Sequence, residues 1–235
     1  MLSIIIPTFN EEKYITKLLE SLSEQDYRNF EVIVADGIST DFTREIVEII
    51  AANLNLNLRF IQTGVKHTGM QRNIGAGAAF GDKLAFIDAD IILPERGYLD
   101  KINKSLMRNM SAAALVRVNP NEERYIDRLV SDFLNGMMMI LNKIGIHNGR
   151  GAIIGIRKNI FNSIGGFDEK AIVAEDIDIL LRVKEKPAII KPPVYESARR
   201  YIKSGYFRVF SSWIIDGAFF HIFRRNLRRG LKPIR

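Results

Sequence analysis

The chain contains no cysteine among its 235 residues, which excludes disulfides, thiolate metal sites and cysteine nucleophiles together. Histidine is nearly absent as well. His67, His147 and His221 are the three present; they are too far apart to form a metal-ligand cluster, so each is expected to be structural or exposed. There is no Walker A loop and no Gly-x-Ser-x-Gly elbow, so two common routes to phosphate binding and acyl transfer are closed. Gly75-Ala-Gly77-Ala-Ala-Phe-Gly81 comes near a dinucleotide fingerprint, but the spacing is wrong and it follows a helix-like stretch instead of a strand. No uncharged apolar run approaches the roughly 18 residues of a spanning helix. The opening Met1-Leu-Ser-Ile-Ile-Ile-Pro7 has no basic segment before its apolar run and does not read as a signal peptide. Internal repeats, low-complexity tracts and linkers are also missing.

What remains is the composition of an ordinary globular protein. With 47% hydrophobic and 26% charged residues, the chain can build one large core, alone or with an appendage. Its net charge of +7 is unevenly placed. Residues 224–235 carry five Arg and one Lys with no acid, and they follow 206–223, in which twelve of eighteen residues are apolar. Arg208, Ser211, Ser212 and Asp216 give that stretch a polar stripe at helical spacing. It predicts an amphipathic helix at a lipid interface followed by a cationic tail, with no nucleic acid as partner. Docking of that helix on the domain is the alternative.

Strand and helix alternate from the first residue. Apolar runs at 3–7, 30–35, 58–61 and 83–87 read as strands. Between them Ile15, Leu18, Leu19 and Leu22, then Ile46, Val47, Ile49 and Ile50, then residues 69–79, read as helices. Asn10-Glu11-Glu12 is expected to cap the first helix and Ser39-Thr40-Asp41 the second. This is the pattern of a doubly wound α/β sheet, with ligands at the carboxyl ends of its strands. The second half is less regular. Strands are expected at 112–116, 152–156 and 188–190, the last ending before Pro192-Pro193. A helix opens near Glu175. A long helix at 122–144 carries Ile126, Leu129, Val130, Phe133, Met137, Ile140, Leu141 and Ile144 on one face, expected to be core, with an acceptor or lipid surface as the alternative.

The chemistry gathers in carboxylates. The apolar run 84–87 ends in Asp88-Ala89-Asp90, and an Asp is costly to bury without a partner. A pair at a strand end is either a turn capping backbone groups or a seat for a divalent cation with a phosphate-bearing substrate. Pro7-Thr8-Phe9-Asn10 and Asp36 end two further strands, so all three ends can meet in one crevice. Glu175-Asp176 add a second acidic pair.

Five ordered blocks now carry a resemblance: Ser3-Ile-Ile-Ile-Pro-Thr-Phe-Asn-Glu-Glu12, Val34-Ala-Asp36-Gly-Ile-Ser39-Thr-Asp41, Asp88-Ala-Asp90, Gly165-Gly-Phe-Asp168 and Glu175-Asp176. Together the chain resembles the family 2 glycosyltransferases with the GT-A fold. Gly69-Met-Gln-Arg72-Asn73 and Ser197-Ala-Arg199-Arg200-Tyr201 extend the likeness to the small single-domain prokaryotic branch. The resemblance implies a GT-A-type, Rossmann-like, mixed but mainly parallel sheet flanked by helices. It also implies a metal-dependent, inverting transfer of a sugar from a nucleotide-sugar to an acceptor hydroxyl or phosphate, with Mg²⁺ or Mn²⁺ as cofactor. Pro7, Thr8, Asn10, Glu11 and Asp36 would line the donor's base and ribose. Asp88 would lie by the ribose and sugar, and Asp90, with Asp88, would hold the metal. Arg72, Arg199 and Arg200 would face phosphate. Asp176 would be the catalytic base, with Glu175 beside it. Gly37 departs from the family, which commonly has a second Asp there.

A catalytic domain is accordingly expected over 1–202, with a nucleotide-sugar half over about 1–110 and an acceptor half over 111–202. The helix and tail would occupy 203–235. The acceptor would be a carbohydrate or a polyprenyl phosphate, and the protein cytoplasmic, peripheral at the inner face of the cell membrane. A sugar nucleotidyltransferase is the competing enzyme class, but Pro7-Thr-Phe-Asn10 is not the Gly-rich, Lys-bearing sequence expected just after its first strand. A non-catalytic nucleotide-sugar-binding protein is the competing binding class, and the acidic pairs argue against it.

Overall fold

The structure is a computed structural model and describes residues 1–171, 175–205 and 208–209. Its first half alternates β1 (Leu2–Thr8), α1 (Ile15–Ser23), β2 (Phe30–Asp36), α2 (Thr43–Asn53), β3 (Leu58–Gln62), α3 (Thr68–Ala78) and β4 (Lys83–Ile87). The second half follows with β5 (Ile91–Ile92), α4 (Tyr98–Arg108), β6 (Ser111–Val118), α5 (Tyr125–Lys143), β7 (Ile153–Arg157), α6 (Lys158–Ser163), α7 (Glu175–Val183), β8 (Ala188–Glu196) and α8 (Arg199–Ser204). All eight strands join one sheet in the order β3-β2-β1-β4-β7-β6-β8-β5. β1 through β4 pair in parallel, as do β6 and β8. β7 runs antiparallel to both β4 and β6, and β5 antiparallel to β8. One sheet thus runs through both halves, and the sheet is mixed but mainly parallel.

The unbroken apolar runs follow from burial on both faces. Successive residues point to opposite sides, so Ile4, Ile6, Val32 and Val34 pack with α1 and α4, while Ile5, Ile33, Leu84 and Phe86 pack with α6 and α7. Each such side chain contributes about 1.5–3 kcal/mol by leaving water, and the many fully buried ones make the sheet the rigid platform beneath the site. Phe86 stacks its edge on Phe167 at 4.9 Å and tilts against Phe161 at 5.3 Å. On that side α3 lies close to β1 because Gly75 has no side chain: a Cβ there would stand 2.5 Å from Ile5.

Four expectations need correction. The first helix starts at Ile15, with Tyr14 before it and no acid in its first turn. Asn10 instead sits at φ 56°, and Glu11 is buried, so these residues form the site loop and do not cap a helix. The last strand does not stop before Pro192-Pro193 but continues to Glu196. Its register against β6 slips between Ala114 and Val116, where Ile190 and Val194 are the successive partners. The prolines, which have no N–H to give, fall in that gap. The short α4 and α6 and the two-residue β5 were not anticipated.

The long helix α5 also differs from expectation. The face expected to be core points outward: Ile126, Leu129, Phe133, Met137, Ile140 and Ile144 are exposed, with Tyr125 the most exposed of all. The buried face holds Asp127, Ser131, Asn135 and Asn142 beside Leu134 and Met138. Asn135 accounts for this inversion, because its amide pairs both ways with the backbone of Val116 at 3.1 and 2.8 Å. The Asn135 hydrogen bonds to β6 hold the middle of this helix, beside the buried Leu134 and Met138.

No helix among the described residues is long and apolar enough to cross a membrane. The amphipathic helix expected over 206–223 and the basic tail lie outside the described residues, apart from 208–209. Val209 is buried against Val118, Ala198 and Tyr201.

Candidate active site

The floor of the site is the carboxyl edge of β1 and β2. Thr8 Oγ1 donates to Asp36 Oδ1 at 2.9 Å, and Ser39 adds its hydroxyl to the same oxygen at 2.5 Å and its N–H to Oδ2 at 2.8 Å. Asp36 is therefore buried with both oxygens engaged, and it fixes the turn after β2. Asn10 N–H donates to Ser39 Oγ and Asn10 Oδ1 accepts from Thr40 N–H, both at 2.8 Å. Beneath them Gln71 Nε2 donates to the carbonyls of Thr8 at 2.6 Å and Ala35 at 2.8 Å, tying two strand ends together. Pro7 lies beyond the last residue pair that β1 shares with β4, so its missing N–H leaves no hole in that ladder. Gly37 also has a steric reason. A Cβ there would stand 3.0 Å from both Gln71 Nε2 and the Val65 carbonyl oxygen, so the second Asp of the family pattern is crowded out.

Asp88 and Asp90 sit in the turn between β4 and β5. Their carboxylates are not spent on capping that turn; each faces an arginine. Arg199 reaches from α8 to Asp90 Oδ2 at 3.0 Å and to both oxygens of Glu11 at 2.7 and 3.1 Å. Its guanidinium also stacks 4.3 Å from the Tyr14 ring centre. Burial pushes Asp90 up to about 6; Arg199 opposes this, while Asp88 and Glu11 add to it. Burial is thus the main reason that the Asp90 carboxyl sits high, and Arg200 joins Arg199 in opposing it. Arg200, next along α8, is exposed and within electrostatic reach of Glu196 and Asp90.

Arg72 connects this corner to the second acidic pair. It is 2% exposed and donates to Asp88 Oδ1 at 2.7 Å and Glu175 Oε1 at 3.3 Å. Phe167 covers it with a ring 5.2 Å away. Asp88 and Glu175, 87 positions apart in the chain, are thereby held on one wall. Asp176, at the first turn of α7, accepts from Ile177 N–H at 2.9 Å. Its other oxygen lies against Gly151, where an added Cβ would stand 3.1 Å away and where φ is +76°. Burial, then the adjacent Glu175 charge, push Asp176 up to about 7, with Arg72 pulling the other way. A cleft of about 320 Å³ opens beside Arg199, lined by Asn10, Glu12, Lys13, Tyr14, Asp41, Arg199 and Lys203.

The donor set suits a hard divalent cation. Asp88 and Asp90 offer oxygens only, and no third carboxylate or imidazole joins them in a metal-type cluster among the described residues. A Mg²⁺-like ion bound by one or two carboxylates and completed by substrate oxygens and water needs no more. Such an ion would stabilise the ionised form of Asp90, which burial disfavours.

A family model, Glycosyl transferase family 2, matches residues 3–165. The chain belongs to glycosyl transferase family 2. Its relatives within and around that family vary in length. The poly(ribitol-phosphate) beta-N-acetylglucosaminyltransferase TarS of Staphylococcus aureus is 40% identical over 112 residues, 47% of this chain but 18% of that enzyme. A PGL/p-HBAD biosynthesis glycosyltransferase of Mycobacterium bovis is 27% identical over 100% of this chain and 88% of its own. Among solved structures, the mannosyltransferase PcManGT of Pyrobaculum calidifontis, in complex with GDP-Man and Mn²⁺, superposes with a TM-score of 0.75 at 24% identity over 96% of this chain and 65% of that one. TarS 1-349 with UDP-GlcNAc gives a TM-score of 0.64 at 25% identity, over 83% of this chain and 58% of that one. This family 2 chain therefore shares the GT-A fold, and its match spans less than a fifth of full-length TarS.

The structure brings Pro7, Thr8, Asn10, Glu11, Asp36, Asp88, Asp90 and Arg199 of this family 2 member to one edge of the sheet, with Arg72, Glu175 and Asp176 alongside. Arg72 is spent on two carboxylates inside the wall. Gln71, Tyr14 and Gly151 escaped the sequence reading. Gly151 had a signal, a glycine just before a strand, but nothing in the sequence paired it with Asp176, 25 positions later.

Proposed function

We propose that the chain is the catalytic domain of a metal-dependent, inverting glycosyltransferase that takes its sugar from a nucleoside diphosphate. The observation that carries this reading is the Asp88–Arg72–Glu175 bridge, which sets the cation-type carboxylates beside the Glu175-Asp176 pair. Asp90 and Asp88 would hold Mg²⁺ or Mn²⁺, which when bound supplies positive charge against the leaving diphosphate. Arg199 and Arg200 add cationic charge on the same side. Pro7, Thr8, Asn10, Glu11 and Asp36 shape the pocket for base and ribose. Asp176 accepts the proton of the acceptor hydroxyl as its oxygen attacks the anomeric carbon. The bond from that carbon to the diphosphate oxygen breaks, and the nucleoside diphosphate leaves with its electron pair. Attack opposite the leaving group inverts the centre and needs one base.

TarS and PcManGT were solved with UDP-GlcNAc and GDP-Man respectively, so relatives bind different nucleotides. For the acceptor we propose a lipid-linked glycan or polyprenyl phosphate, met at the inner face of the cell membrane, with residues 203–235 supplying an aromatic helix and a cationic tail. The domain is proposed to span 1–202, its first 110 residues serving the donor and 111–202 the acceptor. Titration calorimetry tests the donor half. Asp90→Ala should bind the nucleotide-sugar with one affinity whether Mn²⁺ is present or not, while the parent chain binds more tightly with it. Equal metal dependence in both would remove Asp90 from the metal site.

A further inference from the structure

We propose that the outward face of α5 docks on an anionic lipid bilayer, a reading that rests on the lipid-linked acceptor above and assigns the surface that meets it. A helix on a water-soluble domain turns its apolar stripe inward; α5 does the reverse. Tyr125, Leu129, Phe133, Met137, Ile140 and Ile144 are 36–78% exposed along one side, while Asp127, Ser131, Asn135 and Asn142 are buried on the other. Nineteen residues at 1.5 Å each make this stripe about 28 Å long. An apolar surface of that extent marks an interaction site.

Charge selects the occupant. Arg124, Arg128 and Lys143 are exposed along the same helix and its first cap, with Arg124 also leaning on Asp127. The one exposed acid of α5, Asp132, is paired with Arg117 at 2.5 Å. A second copy laid along the stripe would set these cations against their own kind. Acidic headgroups would meet both the apolar face and its basic margins, the combination that holds interfacial helices. The position also fits the chemistry. Asn142 at the end of α5 pairs both ways with the backbone of Asn148, at 2.9 and 3.1 Å. Three residues on, Gly151 lies against Asp176. The segment leaving α5 thus runs from Asn142 to the wall that carries Asp176.

The test is flotation of the full chain with vesicles of phosphatidylcholine alone and of phosphatidylcholine with about one third phosphatidylglycerol. The triple variant Leu129→Glu/Ile140→Glu/Ile144→Glu changes only exposed positions. It should lose at least about tenfold in partition to the anionic vesicles, with its melting temperature and donor hydrolysis unchanged. Undiminished binding by the variant overturns the proposal. So does a dimer of the parent chain in vesicle-free buffer that the variant abolishes, which would assign the face to a second copy. Binding kept by the triple variant but lost in Arg228→Glu/Arg229→Glu would assign the membrane contact to the tail instead. The lipid-acceptor reading is scored separately, by whether transfer requires polyprenyl phosphate in those vesicles; flotation judges α5 whatever that result.

Discussion

Replacing Asp176 by Asn should abolish transfer and, above neutral pH, make the ligand-free protein more stable. The carboxyl titrates near 7 in the folded chain against about 3.9 in an unfolded one. Below pH 4 it is protonated in both states, and the substitution changes little. Between pH 4 and 7 the unfolded chain releases the proton while the folded chain keeps it, so the parent loses stability as pH rises. Above pH 7 both are ionised and the penalty is complete. A shift of about three units corresponds to roughly 4 kcal/mol at most. Arg72 and the open rim of the cleft reduce what is realised, so about 2 kcal/mol is expected. For a domain this size that is roughly 4–8 °C in melting temperature. Scanning calorimetry of both proteins at pH 5, 6, 7 and 8 gives the test: the gap should widen with pH in favour of the Asp176→Asn protein. Donor affinity should stay within a few-fold while turnover disappears. An Asp176→Asn protein that is less stable at pH 8 would mean that the ionised carboxylate is held by favourable contacts, and the proton-accepting role would lose its physical basis.

Three further outcomes follow from other parts of the structure. Gly151→Ala must place a Cβ 3.1 Å from the Asp176 carboxylate at a left-handed φ; a loss of about 1–2 kcal/mol in denaturant unfolding and at least about tenfold in kcat is expected, and full activity would refute the close packing. Glu31 is buried between the Ser3 hydroxyl and Arg59. Burial raises its carboxyl, but hydrogen bonds from Ser3, the Phe80 N–H and Arg59 together outweigh that and hold it below its usual range. Glu31→Gln should cost about 2–3 kcal/mol at pH 7, a gap that closes as acid protonates the parent, and a pH-independent gap would contradict it. Arg199→Ala leaves Glu11 and Asp90 without their cation; its melting temperature should fall, and millimolar Mn²⁺ should restore more of it than equal ionic strength of NaCl. No difference between the salts would argue against a cation seat at Asp90.

The carboxyl edge of the sheet was legible because its residues lie at strand ends, and in a parallel sheet strand ends share one edge. Thr8, Asp36 and Asp88 needed only the alternation of runs and helices to be placed together. The reversal of β7 was not legible: a strand buried on both faces reads the same in either direction. The α5 error has a different cause. Periodicity finds the apolar face of a helix but says nothing about which side the domain lies on, and here Asn135 on Val116 decided it. Arg72 likewise resembled a phosphate ligand until its two carboxylate partners, distant in sequence, were seen to enclose it.

The proposed function requires the Asp88-Asp90 corner to bind a nucleotide-sugar through a divalent cation. The most direct measurement is a thermal-shift screen of UDP-, GDP- and dTDP-sugars, each with and without Mn²⁺. A donor at about one hundred times its dissociation constant stabilises the folded state by about 2.7 kcal/mol, roughly 5–11 °C here. Such a shift is expected for one nucleotide class, dependent on Mn²⁺ and missing in Asp90→Ala. No shift with any donor, or one that is the same without metal and in Asp90→Ala, would contradict it.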